Sequence, residues 1–184
     1  KRMSAITSGW LNQCTDGTCA GGIGKFYIAN ANQVTSITNN ASGATTAITM
    51  ASTAAVFYEV EFRDNSGAFT ETVTQDPDTL SVAIEQSLVG IINCRDQELR
   101  NLIQDMSGQA CGLVCVHVEN TGLYWIWGVE TIGAKKRVAR LTSAEGLSGA
   151  LFTDSNQETL TITCRTTEKA RFIVNGATVM NALD

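Results

Sequence analysis

Residues 14–30, CTDGTCAGGIGKFYIAN, gather the residue types most open to chemistry: Cys14 and Cys19, a glycine cluster, and the pair Gly24-Lys25. A phosphate loop needs glycine, four residues, then Gly-Lys-Ser/Thr, so that backbone N–H groups cradle phosphate and the hydroxyl reaches magnesium. Counted back from Gly24, the first glycine falls on Cys19, and Phe26 stands where the hydroxyl belongs. A dinucleotide fingerprint wants a strand before its glycines and a helix after them. Here polar residues precede the glycines and the strand-like KFYIA follows. Structural zinc needs four ligands, usually from paired two-residue gaps. The cysteines are Cys14, Cys19, Cys94, Cys111, Cys115 and Cys164, and the single histidine is His117, with no such gap among them. A Cys14–Cys19 disulfide across Thr-Asp-Gly-Thr fits the spacing without being required by it. Cys94, Cys111, Cys115 and Cys164 read as small apolar core residues. The stretch reads as architecture, its glycines allowing close backbone approach or positive φ.

Other candidates are single residues. Acyl transfer needs a nucleophile held by a base, and His117 lies mid-strand between Val116 and Val118 with no nucleophile elbow in the chain. Glu59 and Glu61 share one strand face and Glu130 ends another strand, while Lys25 and Arg63 offer charge compensation. Paired carboxylates serve glycoside hydrolysis only at set separations. No set of roles converges, so the expected protein is not an enzyme and has no catalytic, cofactor-binding or metal-binding residues.

The elements that must position these residues are mostly strands. QVTSIT and TTAITM flank the turn NNASG, and AAVFYEVEFR alternates with a period of two. DNSGAF reads as a hairpin turn into AFTETVTQ, and TLSVAIEQSLVGI follows the sole proline, Pro77. In NCRDQELRNLIQDMSG, Leu99, Leu102, Ile103 and Met106 form one helical stripe. Asn93 or Asp96 is expected to cap its start, and Gly108 to end it in the left-handed conformation. CGLVCVHVE, apolar on both faces, and LYWIWGVE form a hairpin through NTG. Tyr124, Trp125 and Trp127 are then core on one face or a stacking platform. KKRVARLT leads through the expected loop SAEGLSGALFTDSN to ETLTITCR and RFIV, and the tail NGATVMNALD carries no strong signal.

The fold class is therefore mainly β (α+β): an antiparallel β-sandwich or partial barrel with one flanking α-helix at about residues 95–107. Three segments follow: 1–53, N-terminal Ser/Thr/Gly-rich strands and arm; 54–174, the sandwich core with its helix; and 175–184, a C-terminal tail. At 184 residues the chain suits one domain, and its 43% hydrophobic content argues against global disorder. A net charge of −5 disfavours broad attraction to nucleic acid or anionic membrane. No apolar run approaches the ~20 residues that span a bilayer, and the cysteine usage fits a reducing cytoplasm.

The element order of FRDNSGAFTETVTQDPDTLSVAIEQSLVGIINCRDQELRNLIQDMSGQACGLVCVHVENTGLYWIWGVE, with the return through LTSAEGLSGALFTDSNQETLTITC, resembles virion proteins of tailed bacteriophages, specifically tail tube (major tail) proteins. The resemblance spans about residues 54–174 and rests on element order. It implies a structural virion protein whose copies close into rings, usually hexameric, stacked into a tube through which DNA passes without sequence-specific binding. It also implies other tail proteins as partners, assembly in the host cytoplasm, and no cofactor and no membrane. Two alternatives stand beside it: another virion role (head decoration, tail completion or connector), and a monomeric β-sandwich ligand-binding module using Tyr124, Trp125 and Trp127. Ring closure would cover exposed strand edges, and an acidic balance suits a conduit for DNA.

Overall fold

A computed structural model describes residues 21–93, 95–132, 135–151 and 155–183. In chain order the elements are β1 (Ile23–Asn30), β2 (Val34–Asn39), β3 (Thr45–Met50), β4 (Tyr58–Glu61), β5 (Ala68–Gln75) and β6 (Val82–Asn93). Then come α1 (Gln97–Gly108), β7 (Leu113–Glu119), β8 (Tyr124–Trp127), β9 (Glu130–Ile132), β10 (Lys135–Arg137), β11 (Arg140–Leu147), β12 (Gln157–Thr166), β13 (Arg171–Phe172) and α2 (Gly176–Asn181).

The strands form two antiparallel sheets and two ribbons. A five-stranded central sheet has the order β13-β8-β7-β1-β4, and a four-stranded outer sheet the order β11-β12-β6-β5. The ribbons are β2–β3 and β9–β10. The central sheet is buried on both faces. Towards the outer sheet, Phe26, Ile28, Val60, Cys115 and Trp127 meet Leu88, Leu160, Ile162 and Met106 of α1. On the opposite face, Tyr27, Val114, Val116 and Ile126 lie under Val34 and Ile48 of the β2–β3 ribbon and Met180 of α2. This explains why β7 is apolar at every position: each face packs on a different layer. The strands expected at the N-terminal end enter the core directly, because β1 lies between β7 and β4.

The mainly β, antiparallel sandwich with a flanking helix matches the sequence expectation, and the structure adds detail. Asp96 caps α1, its carboxylate accepting from the Leu99 N–H at 2.7 Å. Gly108 remains helical, and the cap is the extended Gln109 (φ −74°, ψ 93°). A second helix, α2, stands in the tail, with Met180 buried beneath it.

DNSGAF is a corner and not a hairpin turn, since β4 pairs with β1 in the central sheet and β5 with β6 in the outer sheet. Asn65 takes the left-handed conformation there (φ 57°). The expected loop at 143–156 is strand through Leu147, since Ser143–Leu147 pair with Thr161–Gln157. At Gly146 in that strand a Cβ would lie 2.4 Å from the Arg95 guanidinium and 2.6 Å from the Glu158 carboxylate, so a side chain there would have to push these two groups aside. Those two side chains form an ion pair at 2.8 Å.

Candidate functional site

Alternation along β7 and β8 decides the aromatic cluster. Trp125 and Trp127 point towards the outer sheet, and Tyr124 with Ile126 points the other way, so the three rings share no platform. Trp127 is buried, with Phe69 at 5.3 Å between ring centroids, and Trp125 meets Phe172 edge-on at 5.6 Å. His117 belongs to the same inter-sheet layer. Its ring lies 4.1 Å from that of Phe69, and its buried Nδ1 has no hydrogen-bond partner. Burial pushes its pKa down to about 3, which holds the imidazole neutral. The imidazole is thus a buried neutral ring packed under phenylalanine.

The carboxylates are engaged structurally. Glu59 accepts from Lys25 Nζ at 2.9 Å, and the ammonium also stands 5.4 Å over the Tyr27 ring. Hydrogen bonding to Glu59 raises the lysine pKa, while the Tyr27 hydroxyl and then Lys25 lower that of Glu59. Glu61, two residues on, is exposed. Glu59 and Glu61 are therefore a paired and a solvated carboxylate at a sheet edge.

Among the described residues Glu130 is the most heavily hydrogen-bonded acid. It accepts from the Thr166 hydroxyl, the Thr167 hydroxyl and, at 2.7 Å, the Thr167 N–H. Burial alone would raise its pKa, but these donors outweigh it and the carboxyl titrates below its ordinary range. Nearby, Glu71 Oε1 accepts from Gln86 Nε2 at 2.9 Å and the Ala170 N–H at 2.6 Å. Residues 167–170 are where the chain leaves β12 of the outer sheet and enters β13 of the central one. Glu71 and Glu130 thus clamp the crossing between sheets, which the sequence could not reveal because Glu130 and Thr166 are 36 residues apart. Glu130→Ala is expected to cost about 2 kcal/mol by stranding the threonine donors, read as a lower midpoint in urea unfolding. An unchanged midpoint would remove the clamp.

Cys14, Cys19 and Cys94 lie outside the described residues. Cys115 and Cys164 are buried free thiols, as expected. Cys111 is exposed instead, because it sits on the turn between α1 and β7. Among the described residues no group of three His, Cys, Asp or Glu side chains is placed to hold a metal ion. Arg63 reaches Gln157 Oε1 at 3.2 Å.

What remains is a surface. The outer sheet ends in two eight-residue edge strands, β5 and β11, each paired on one side only among the described residues. α1 packs beside β11 but gives it no backbone hydrogen bond among the described residues. The solvent face of this sheet carries Thr70, Thr72 and Thr74 on β5, Ser87 on β6, and Thr159, Thr161 and Thr163 on β12. Its charges are Arg140, Glu145 and the pair Glu85–Arg165 at 3.8 Å. The acidic balance of the whole chain is not concentrated there. No protein-family model, curated protein or solved structure matches the chain.

Proposed function

We propose that the chain is a self-assembling structural subunit, of the kind that stacks in rings to form a phage tail tube, with copies joined through the edges of the outer sheet. The observation that carries this reading is the pair of edges, β5 and β11, that no strand among the described residues covers. An exposed eight-residue edge is a hazard that monomeric proteins blunt. In an antiparallel sheet of four strands the two edge strands run in opposite directions. Copies placed side by side in one orientation therefore bring β5 of one against β11 of the next, antiparallel, as backbone pairing favours. Such a contact is head-to-tail, so it repeats until it closes a ring or propagates. The threonine-rich, charge-balanced face suits passing DNA, since it offers phosphates hydroxyls and no excess of cations. The partners are then its own copies and other tail proteins, and the destination is the virion.

Negative-stain electron microscopy across protein and salt concentration is expected to show rings or tubes of uniform diameter. Covalent trapping tests the edges themselves. Cysteines at Thr72→Cys and Ser143→Cys lie three strands apart and four residues out of register within one copy, because Thr72 stands opposite Glu85 while Ser143 stands opposite Thr161 and so Val89. The strand spacings alone put them at least about 14 Å apart, too far to bridge. Mild oxidation of the double variant, with neighbouring registers tried on β11, is expected to give a ladder of disulfide-linked oligomers. Monomers at high concentration with no ladder would overturn the reading.

A further inference from the structure

The two edges of the outer sheet are unequally protected. β11 is shielded at its start: a bulge breaks its pairing between Leu141 and Ser143, Arg140 charges it, and α1 packs beside it. Bulges, charges and covering helices are the devices by which edges avoid pairing with other chains. Among the described residues β5 has none of them. Its register with β6 is unbroken from Ala68 to Gln75, and it contains neither proline nor lysine. Its one charge, Glu71, is turned to Gln86 and the Ala170 N–H.

The path of the chain supplies a cover. Just before β1 the backbone is pinned at the head of β5. The Ile23 N–H donates to the Gly67 carbonyl at 3.0 Å, the Asn120 N–H to the Gly22 carbonyl at 3.1 Å, and Asn120 Nδ2 to that of Gly21 at 2.9 Å. Gly22, at φ 96°, takes the chain out of the line of β1 there. Gly21, Gly22 and Ile23 line one cleft of about 360 Å³ together with Ala68, Phe69 and Leu123. The residues before Gly21 therefore start from beside the first residues of β5.

The bridge between Ile23 and Gly67 is antiparallel. Followed backwards from it along the edge, the chain runs from Phe69 towards Gln75, antiparallel to β5, as backbone pairing favours. Gly67 gives its carbonyl to Ile23, and alternate residues of a strand present their backbone groups to one side. Phe69, Glu71, Val73 and Gln75 continue that row, while Ala68, Thr70, Thr72 and Thr74 turn to β6. Residues 15–20 reach about 20 Å when extended, the length from Phe69 to Gln75. Their sequence, TDGTCA, has no proline, so each can give the edge a backbone N–H.

We propose that residues 15–20 lie along the β5 edge of their own subunit as an added antiparallel strand, and keep that edge paired until β11 of a neighbouring copy displaces them. The displacement rests on the assembly proposed above, and the cover does not. An edge takes one partner at a time, so the affinity of copy for copy falls by the fraction of subunits whose edge is covered.

Amide hydrogen exchange of the full chain, read by NMR where sedimentation shows monomers, tests the cover. The Glu71 and Val73 amides are expected to exchange at least about tenfold more slowly than unpaired amides, at every dilution. Gly17→Pro/Thr18→Pro places prolines at adjacent positions, one of which must face β5 because neighbours alternate. It is expected to return both amides to the unpaired rate while Thr70 and Thr72, turned to β6, stay protected. Ser8→Pro/Gly9→Pro, outside residues 15–20, is expected to change neither. The first double variant is also expected to form rings or ladders at about tenfold lower protein concentration than the parent. Fast exchange of Glu71 and Val73 in the monomer, or protection that the prolines at 17 and 18 leave in place, would overturn the cover. Protection that appears only as concentration rises would also overturn it, with β11 of a second copy as the occupant and the assembly standing. Released amides in a double variant that stays monomeric would support the cover and overturn the assembly.

Discussion

Gly67→Ala is expected to destabilise the fold by about 3 kcal/mol and to lower Tm by about 10 °C. Gly67 sits at the corner where the chain passes from the central sheet to the outer one. It forms an isolated bridge with Ile23, whose N–H donates to the Gly67 carbonyl at 3.0 Å. A Cβ there would stand 2.2 Å from the Ile23 carbonyl oxygen and 2.8 Å from the Phe62 ring. The first contact is with backbone held on β1, which cannot step aside without breaking the bridge. The ring is no freer. It stacks on Phe26 at 4.8 Å, and Gly90 on its other side would place a Cβ 2.5 Å from it. Phe62 is thus boxed in by Phe26 and two glycines, and an added methyl must displace either backbone or core. Gly108→Ala supplies the contrast, because nothing lies within 4 Å of a Cβ built there and its φ is not positive. That variant is expected to match or slightly exceed the parent, as alanine is the better helix former. Should Gly67→Ala melt within 2 °C of the parent by calorimetry, the corner is looser than its packing implies.

The same corner shows where sequence reading stops. Period-two alternation found β4 and β6, and the doubly apolar run at 113–118 announced a strand buried on both faces. The stripe Leu99–Met106 gave α1 with its Asp96 cap. These signals are local, and each needs only the spacing of apolar residues along one element. Whether DNSGAF reverses the chain within a sheet or hands it to another depends on what β4 and β5 pair with, and those partners are β1 and β6. β11 hid for a related reason. Ser143, Ala144, Glu145 and Gly146 have no alternating hydrophobicity, because the site under Gly146 is filled by the Arg95–Glu158 pair and not by core. α2 is six residues long, too short to show a period, and Met180 is its one large buried side chain.

The candidate site was less legible. Which strands are edges is a property of sheet order, and sheet order is non-local. Glu130 carried no mark of its role in clamping Thr166 and Thr167. The threonines of β5 and β12 were visible in TETVT and TLTIT. Only the register across β6, which sets Thr70 and Thr163 opposite Ser87, assembles them into one face.

His117 joins sequence to stability through pH. The residue was visible mid-strand, but not the Phe69 ring that closes over it, nor its unpartnered Nδ1. Burial lowers its pKa from the ordinary 6.5 to about 3. The unfolded chain therefore takes up a proton below pH 6.5 that the folded chain refuses until near pH 3. The unfolded state binds more protons throughout that window, so stability rises with pH across it. The contribution is complete above pH 6.5 and is lost on acidification at about 1.4 kcal/mol per pH unit. By pH 5 the loss is about 2 kcal/mol. Glu59, Asp76 and Glu130, whose carboxyls titrate below their ordinary values, lose their own contributions at lower pH, as they become protonated. Urea unfolding between pH 5 and 7 thus isolates the histidine. His117→Phe keeps a ring against Phe69, removes the titrating group and relieves an unpaired nitrogen. The variant is expected to hold its stability flat across that range while the parent declines. Parallel curves for the two proteins would show that the histidine takes up its proton equally in the folded and unfolded chains, and the sealed inter-sheet layer around it would have to be open to water.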